Sequence, residues 1–143
     1  MTPETLFQIA NPLAMLGWLA LLASPLAPRV LMPLASVVLP LLLALAYSGL
    51  VLAHLAGAEG GFSSLAEVQR LFTQPEIALA GWLHYLAFDL FVGAWATRTA
   101  HDEGIPHLFL IPCLVLTFLF GPAGFLAFWL LRTSRMVKKK ASA

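Results

Sequence analysis

The sequence predicts an all-α fold: a four-helix transmembrane bundle with a short interfacial helix between its second and third spans. Three observations predict it. Of the 143 residues, 60% are hydrophobic and 10% are charged, whereas a soluble domain has about 45–50% apolar and about 25% charged residues. Four apolar stretches reach the roughly 20 residues that a membrane-crossing helix requires. Proline and glycine clusters separate those stretches. A globule this small has too little polar surface to cover such an apolar excess. The composition therefore excludes an ordinary soluble enzyme and a disordered regulator. A net charge of +1 leaves no basic face for nucleic acid. The chain reads as a single domain, 1–143, whose solvent is the lipid bilayer. Cys113 is the sole cysteine, so no internal disulfide is possible.

The spans are expected at about 4–24, 30–56, 75–97 and 107–131. Ser24-Pro25-Leu26-Ala27-Pro28-Arg29 makes a Pro-rich turn between the first two, and Gly57 to Gly61 ends the second. Thr99 to Pro106 joins the third to the fourth. Between spans two and three, Ser64-x-x-Glu67 reads as a capping box. Phe62, Leu65, Val68, Leu71 and Phe72 then fall on one side of a short helix lying in the interface. Pro75 suits the first turn of the third span, where its missing N–H costs little.

Basic residues set the expected orientation. Arg132, Arg135, Lys138, Lys139 and Lys140 form a basic tail, 132–143, and Arg70 lies in the second loop. With four spans these share a face with the N-terminus, and only Arg29 and Arg98 fall opposite. The excess of cations predicts that both termini are cytoplasmic. Glu4 and the lack of an early cation argue against a secretory signal. A prokaryotic cytoplasmic membrane is the expected location.

An ionisable side chain at bilayer depth costs about 2.5–3.5 kcal/mol, so Asp89 near the centre of the third span calls for a reason. Tyr85 lies one helical turn from it, on a stripe that Gly81 and Gly93 extend and that another helix can approach closely. His84 is roughly 140° around the helix from Asp89. Asn11, Tyr47, Ser48 and the Gly121-Pro122 break fall at the depth of His84, and Thr117 near that of Asp89. A polar layer drawn from all four helices is what a buried site would look like; interhelical hydrogen-bonding is the bland alternative. His101, Asp102, Glu103 and His107 match no standard ligand spacing, so no metal is expected, and no cofactor is identified.

His84-Tyr85-Leu86-Ala87-Phe88-Asp89-Leu90-Phe91-Val92-Gly93, Gly104-Ile105-Pro106-His107 and the Pro112 to Gly124 segment together resemble the abscisic-acid-deficient-4-like, or neoxanthin-synthase-like, membrane family. The resemblance covers roughly the C-terminal half. It implies the conversion of violaxanthin to neoxanthin in plant members, an isomerisation that opens an epoxide, removes a neighbouring proton and leaves an allene and a hydroxyl. Carried onto this chain, the resemblance implies Asp89 or His84 as the base, and Tyr85 or a protonated partner as the acid, of a carotenoid epoxide isomerase-like enzyme. Asn11, Tyr47, Thr117 and His107 are the expected substrate-binding residues, with His107 near the outer surface. The expected ligand is a carotenoid or other isoprenoid. A non-catalytic protein that binds pigment or lipid, or assembles a membrane complex, is the alternative, and an oligomer is compatible with either.

Overall fold

The computed structural model describes residues 2–141, among which there are six helices and no strand. Helix α1 spans Pro3–Leu22, with the Thr2 hydroxyl accepting from the Thr5 N–H at 3.2 Å and Pro3 at the first helical position. Helix α2 spans Pro28–Gly57. It relaxes into a π-helical stretch at Leu34–Val38, just ahead of Pro40, which offers no N–H to the Ser36 carbonyl one turn back.

The short helix α3 spans Leu65–Leu71, as the capping signal predicts. The Ser64 hydroxyl accepts from the Glu67 N–H at 3.2 Å, but the Glu67 carboxylate turns to the Ser63 hydroxyl. Half of the capping box is made. Helix α4 spans Pro75–Asp102 and is the axis of the molecule. At 28 residues it is about 42 Å long. Its Leu83, Leu90 and Ala94 are wholly buried, and Leu21, Leu110, Leu114 and Phe128 of surrounding helices complete the core.

The fourth apolar stretch departs from the expected single span. Helix α5 covers His107–Phe120, and helix α6, Pro122–Ala141, turns back beside it. The Arg135 guanidinium lies 4.2 Å from the centre of the Phe109 ring. In one straight helix those residues would be about 39 Å apart. The Arg132 Nε donates to both carboxylate oxygens of Glu103, at 2.8 and 2.9 Å. At 14 residues, α5 is about 21 Å long, half the length of α4. The bundle is therefore three helices long and apolar enough to cross a membrane, Pro3–Leu22, Pro28–Gly57 and Pro75–Asp102, with a helical hairpin inserted beside them.

Local chemistry dictates the reversal. Gly121 has φ +42°, a region that side-chain-bearing residues avoid. Pro122 has no N–H with which to continue α5, yet suits the first position of α6. Gly124 lets the arms touch, since a Cβ there would collide with the Thr117 backbone. Helix α5 and the opening turns of α6 are apolar, so hydropathy reads them as one span.

The hairpin also corrects the placement of the termini. Pro3 and Glu4 border Pro75 at one end of α4, whereas Arg132 meets Glu103 just beyond the other end. The two terminal arms lie at opposite ends of the bundle, not at the one end that four straight spans require. Of the basic tail, residues 142–143 lie outside the described part.

The Arg132 guanidinium holds the Glu103 carboxyl below the usual carboxylate range by hydrogen bonding to its charged form. A carboxyl whose folded pKa is depressed contributes stability above its unfolded pKa of about 4.3, and loses it as pH falls through the lower folded value. Thermal unfolding in detergent from pH 7 to pH 3 is expected to show an acid-side loss that Glu103→Gln diminishes.

Candidate functional site

Asp89 lies at the mid-height of α4, about 21 Å from Pro75 and about 20 Å from Asp102 along the axis. The tip of the α5–α6 hairpin reaches that level. A Cβ built on Gly121 would stand 2.7 and 2.9 Å from the two Asp89 carboxylate oxygens, so the tip backbone is in close contact with the carboxylate. Asp89 Oδ2 is buried and has no hydrogen-bond partner among the described residues.

A cavity of about 260 Å³ adjoins this carboxylate, lined by Asn11, Trp18, Trp82, Tyr85, Asp89 and Phe118 among others. It lies between α1, α4 and the end of α5. Met15, Trp82 and Leu119 on its border are exposed on the outside of the bundle. In a bilayer that outside is lipid, so the cavity opens to the acyl chains.

Tyr85 is tied to the hairpin. Its hydroxyl donates to the Phe118 carbonyl at 3.1 Å. That carbonyl would otherwise bond the N–H four residues on, and Pro122 has none. The phenol thus satisfies the acceptor that the turn orphans. On the same face the Trp82 ring stacks on Tyr85 with centroids 5.2 Å apart. The Trp82 Nε1–H donates to Asn11 Oδ1 at 2.9 Å, and Asn11 Nδ2 donates to the Phe7 carbonyl at 2.9 Å. Both ends of the Asn11 amide have protein partners.

Trp82→Phe removes the donor to Asn11 Oδ1 and is expected to lower stability by about 0.5–1.5 kcal/mol. Denaturant unfolding in micelles measures it, and Trp129→Phe, whose ring nitrogen makes no hydrogen bond among the described residues, is the control.

The other expected site residues lie elsewhere. His84 is exposed on the far side of α4, stacked on Phe88 at 4.6 Å, with Tyr47 at 5.5 Å. Tyr47 and His84 make a second aromatic cluster that does not border the Asp89 cavity. Ser48 donates to the Ala44 carbonyl of its own helix at 2.8 Å. Thr117 is buried and donates to the Cys113 carbonyl at 2.8 Å. His107 Nε2 pairs with the Leu22 carbonyl at 3.0 Å, joining the first turn of α5 to the last of α1. The expected polar layer thus divides in two: Asn11, Tyr85 and Asp89 meet at one cavity, while Tyr47, His84, Thr117 and His107 do not reach it.

Trp18 and Phe118 were not foreseen as site residues, and the Gly121-Pro122 break, expected at the depth of His84, stands at the level of Asp89 as the tip of a hairpin. The signal for the hairpin lay in Phe120-Gly121-Pro122, a reversal sequence placed inside an apolar run. Gly93 of the expected stripe does face α1, but it meets the Trp18 ring; a Cβ there would lie 2.8 Å from it.

The profile of the family described as ABA DEFICIENT 4-like matches residues 5–128. The chain belongs to the ABA DEFICIENT 4-like family. The match takes in the three long apolar helices, the first arm of the hairpin with the start of the second, and every residue of the Asp89 cavity. It extends the resemblance from the C-terminal half to most of the chain. Searches of curated proteins and of solved structures give no match.

Proposed function

We propose that this ABA DEFICIENT 4-like protein is an integral membrane enzyme that isomerises or otherwise modifies a carotenoid-like isoprenoid by acid–base chemistry, in the cytoplasmic membrane of a prokaryote. The observation that carries the reading is the Asp89 carboxylate, at mid-height, with a buried oxygen free of partners beside a lipid-open cavity. A structural carboxylate at that depth would be expected to use both oxygens, because a buried acceptor without a donor is costly.

The cavity's size limits what enters it. Ligand pockets usually measure about 300–1,000 Å³, and this one is about 260 Å³. It takes the end ring of a long isoprenoid, and the polyene lies outside along the apolar surface. For an epoxide-bearing ring the electron flow closes without a cofactor. Asp89 takes a proton from carbon, the C–H pair forms the new double bond of the allene, and the C–O bond of the epoxide breaks. Tyr85 gives its proton to the departing oxygen, which becomes the hydroxyl. Asp89, one turn along the same helix, then returns the abstracted proton to the Tyr85 phenolate. The net change is an isomerisation. General acid–base catalysis of this kind contributes about 10²–10⁴-fold. His84, on the other side of α4, has no part in it.

Expression in carotenoid-producing cells, followed by chromatography of the pigments, tests the reading. The wild type is expected to convert at least one carotenoid to an isomer of equal mass. Identical profiles from wild-type and Asp89→Asn cells across several carotenoid backgrounds would refute it for those substrates.

A binding role without turnover is the second reading. It is favoured by the Tyr85 hydroxyl, whose proton is already engaged by the Phe118 carbonyl. It predicts an isoprenoid that co-purifies with the protein unchanged.

A further inference from the structure

The hairpin sorts the charges of the chain. Arg29, Arg98, Arg132, Arg135 and the three lysines Lys138 to Lys140 all belong to the end of the bundle that holds Glu103. That end has two acids, Asp102 and Glu103, and Arg132 occupies the second of them. The opposite end holds Arg70 with Glu4, Glu59, Glu67 and Glu76. A straight fourth span would have moved five of the cations to that acidic end and left the charges nearly balanced. The reversal at Gly121 instead gives one strongly basic end and one acidic end.

At the basic end, the start of α5 and the later turns of α6 enclose a cleft of about 670 Å³, bordered by Phe109, Ser134, Arg135 and Met136 and by the paired Glu103 and Arg132. Arg135 has its guanidinium over the Phe109 ring, and no carboxylate pairs with it among the described residues. Next to it, Met136 and Val137 are 47% and 67% exposed. Cations interleaved with exposed apolar side chains fit the boundary where headgroup phosphates meet acyl chains.

We propose that this end lies against the cytoplasmic leaflet, with the N-terminus on the other side, and that the Arg135 cleft binds the phosphate headgroup of an anionic phospholipid. The bias of Lys and Arg toward one side sets membrane orientation, and clusters of cations just beyond a membrane helix attract anionic lipids. The cleft provides the Arg135 guanidinium for the phosphate oxygens and the Phe109 ring for the glycerol and first methylenes.

Two measurements test the proposal. Purified full-length protein in neutral detergent is titrated with phosphatidylglycerol or phosphatidylcholine, and bound lipid is counted by native mass spectrometry. Phosphatidylglycerol is expected to bind at least tenfold more tightly. Arg135→Gln combined with Lys138→Gln, Lys139→Gln and Lys140→Gln is expected to erase that preference, and Arg70→Gln to leave it intact. Equal affinity of the wild type for the two lipids, or displacement of the lipid by equimolar inorganic phosphate, overturns the headgroup site. For orientation, Met136→Cys in a Cys113→Ala background is probed with a membrane-impermeant maleimide. It is expected to be shielded in intact bacterial cells and labelled after lysis; labelling in intact cells overturns the orientation.

Discussion

Asp89→Asn is expected to lower pigment conversion by at least about 10²-fold, the lower range of what a general base contributes, while the protein still folds. The amide matches the carboxylate in shape but cannot accept a proton from carbon. The buried Oδ2 makes no hydrogen bond among the described residues, so the substitution breaks none there. It also relieves the chain of an ionisable group at bilayer depth. Detergent-extracted yield and helical circular dichroism should therefore equal or exceed those of the wild type. Chromatography of pigments from matched amounts of protein supplies the other half of the test. A fall in yield with unchanged turnover per molecule would make Asp89 structural.

Gly121→Ala carries the second large effect, and it acts on fold and site together. The positive φ at this position costs an L-residue about 1–3 kcal/mol. The added methyl would stand 2.7 Å from an Asp89 oxygen, well inside contact distance, so either the hairpin tip or the carboxylate must move. The variant is expected to unfold at lower temperature and to convert little pigment, although it retains Asp89, Tyr85 and Asn11. Gly49→Ala is the matched control. A Cβ at Gly49 meets nothing within 4 Å, and alanine favours a helix by about 1 kcal/mol over glycine. It should be neutral or stabilising in the same thermal scan.

Much of the fold was legible in the sequence because hydropathy and helix-end chemistry are local. The three long helices, the Ser64 cap, Pro75 at the head of α4 and the prominence of Asp89 all follow from short stretches of chain. The hairpin was not legible, because α6 opens on an apolar stretch, Phe125 to Leu131, that hydropathy runs together with α5 into the length of one span. What distinguishes them is the backbone conformation of Gly121 and the partners of Arg132 and Arg135, and neither is a property of composition. The site failed to resolve for the same reason. A depth calculation along straight helices placed His84, Tyr47 and Asn11 in one layer, yet depth does not state which side of α4 a residue faces. His84 and Asp89 are separated by the body of that helix. Asn11 and Tyr85 survive beside Asp89 because α1 and the hairpin tip both pack on its side.

The fold-back of residues 107–131 is what brings Gly121 to Asp89. Spin labels at Phe109→Cys and Arg135→Cys in a Cys113→Ala background, read by pulsed electron resonance in lipid nanodiscs, test it most directly. The hairpin predicts a single short separation between labels, below about 20 Å once linker length is added to contact of the two side chains. A separation near the ~39 Å of a continuous helix would contradict the hairpin, and with it the cavity at Asp89.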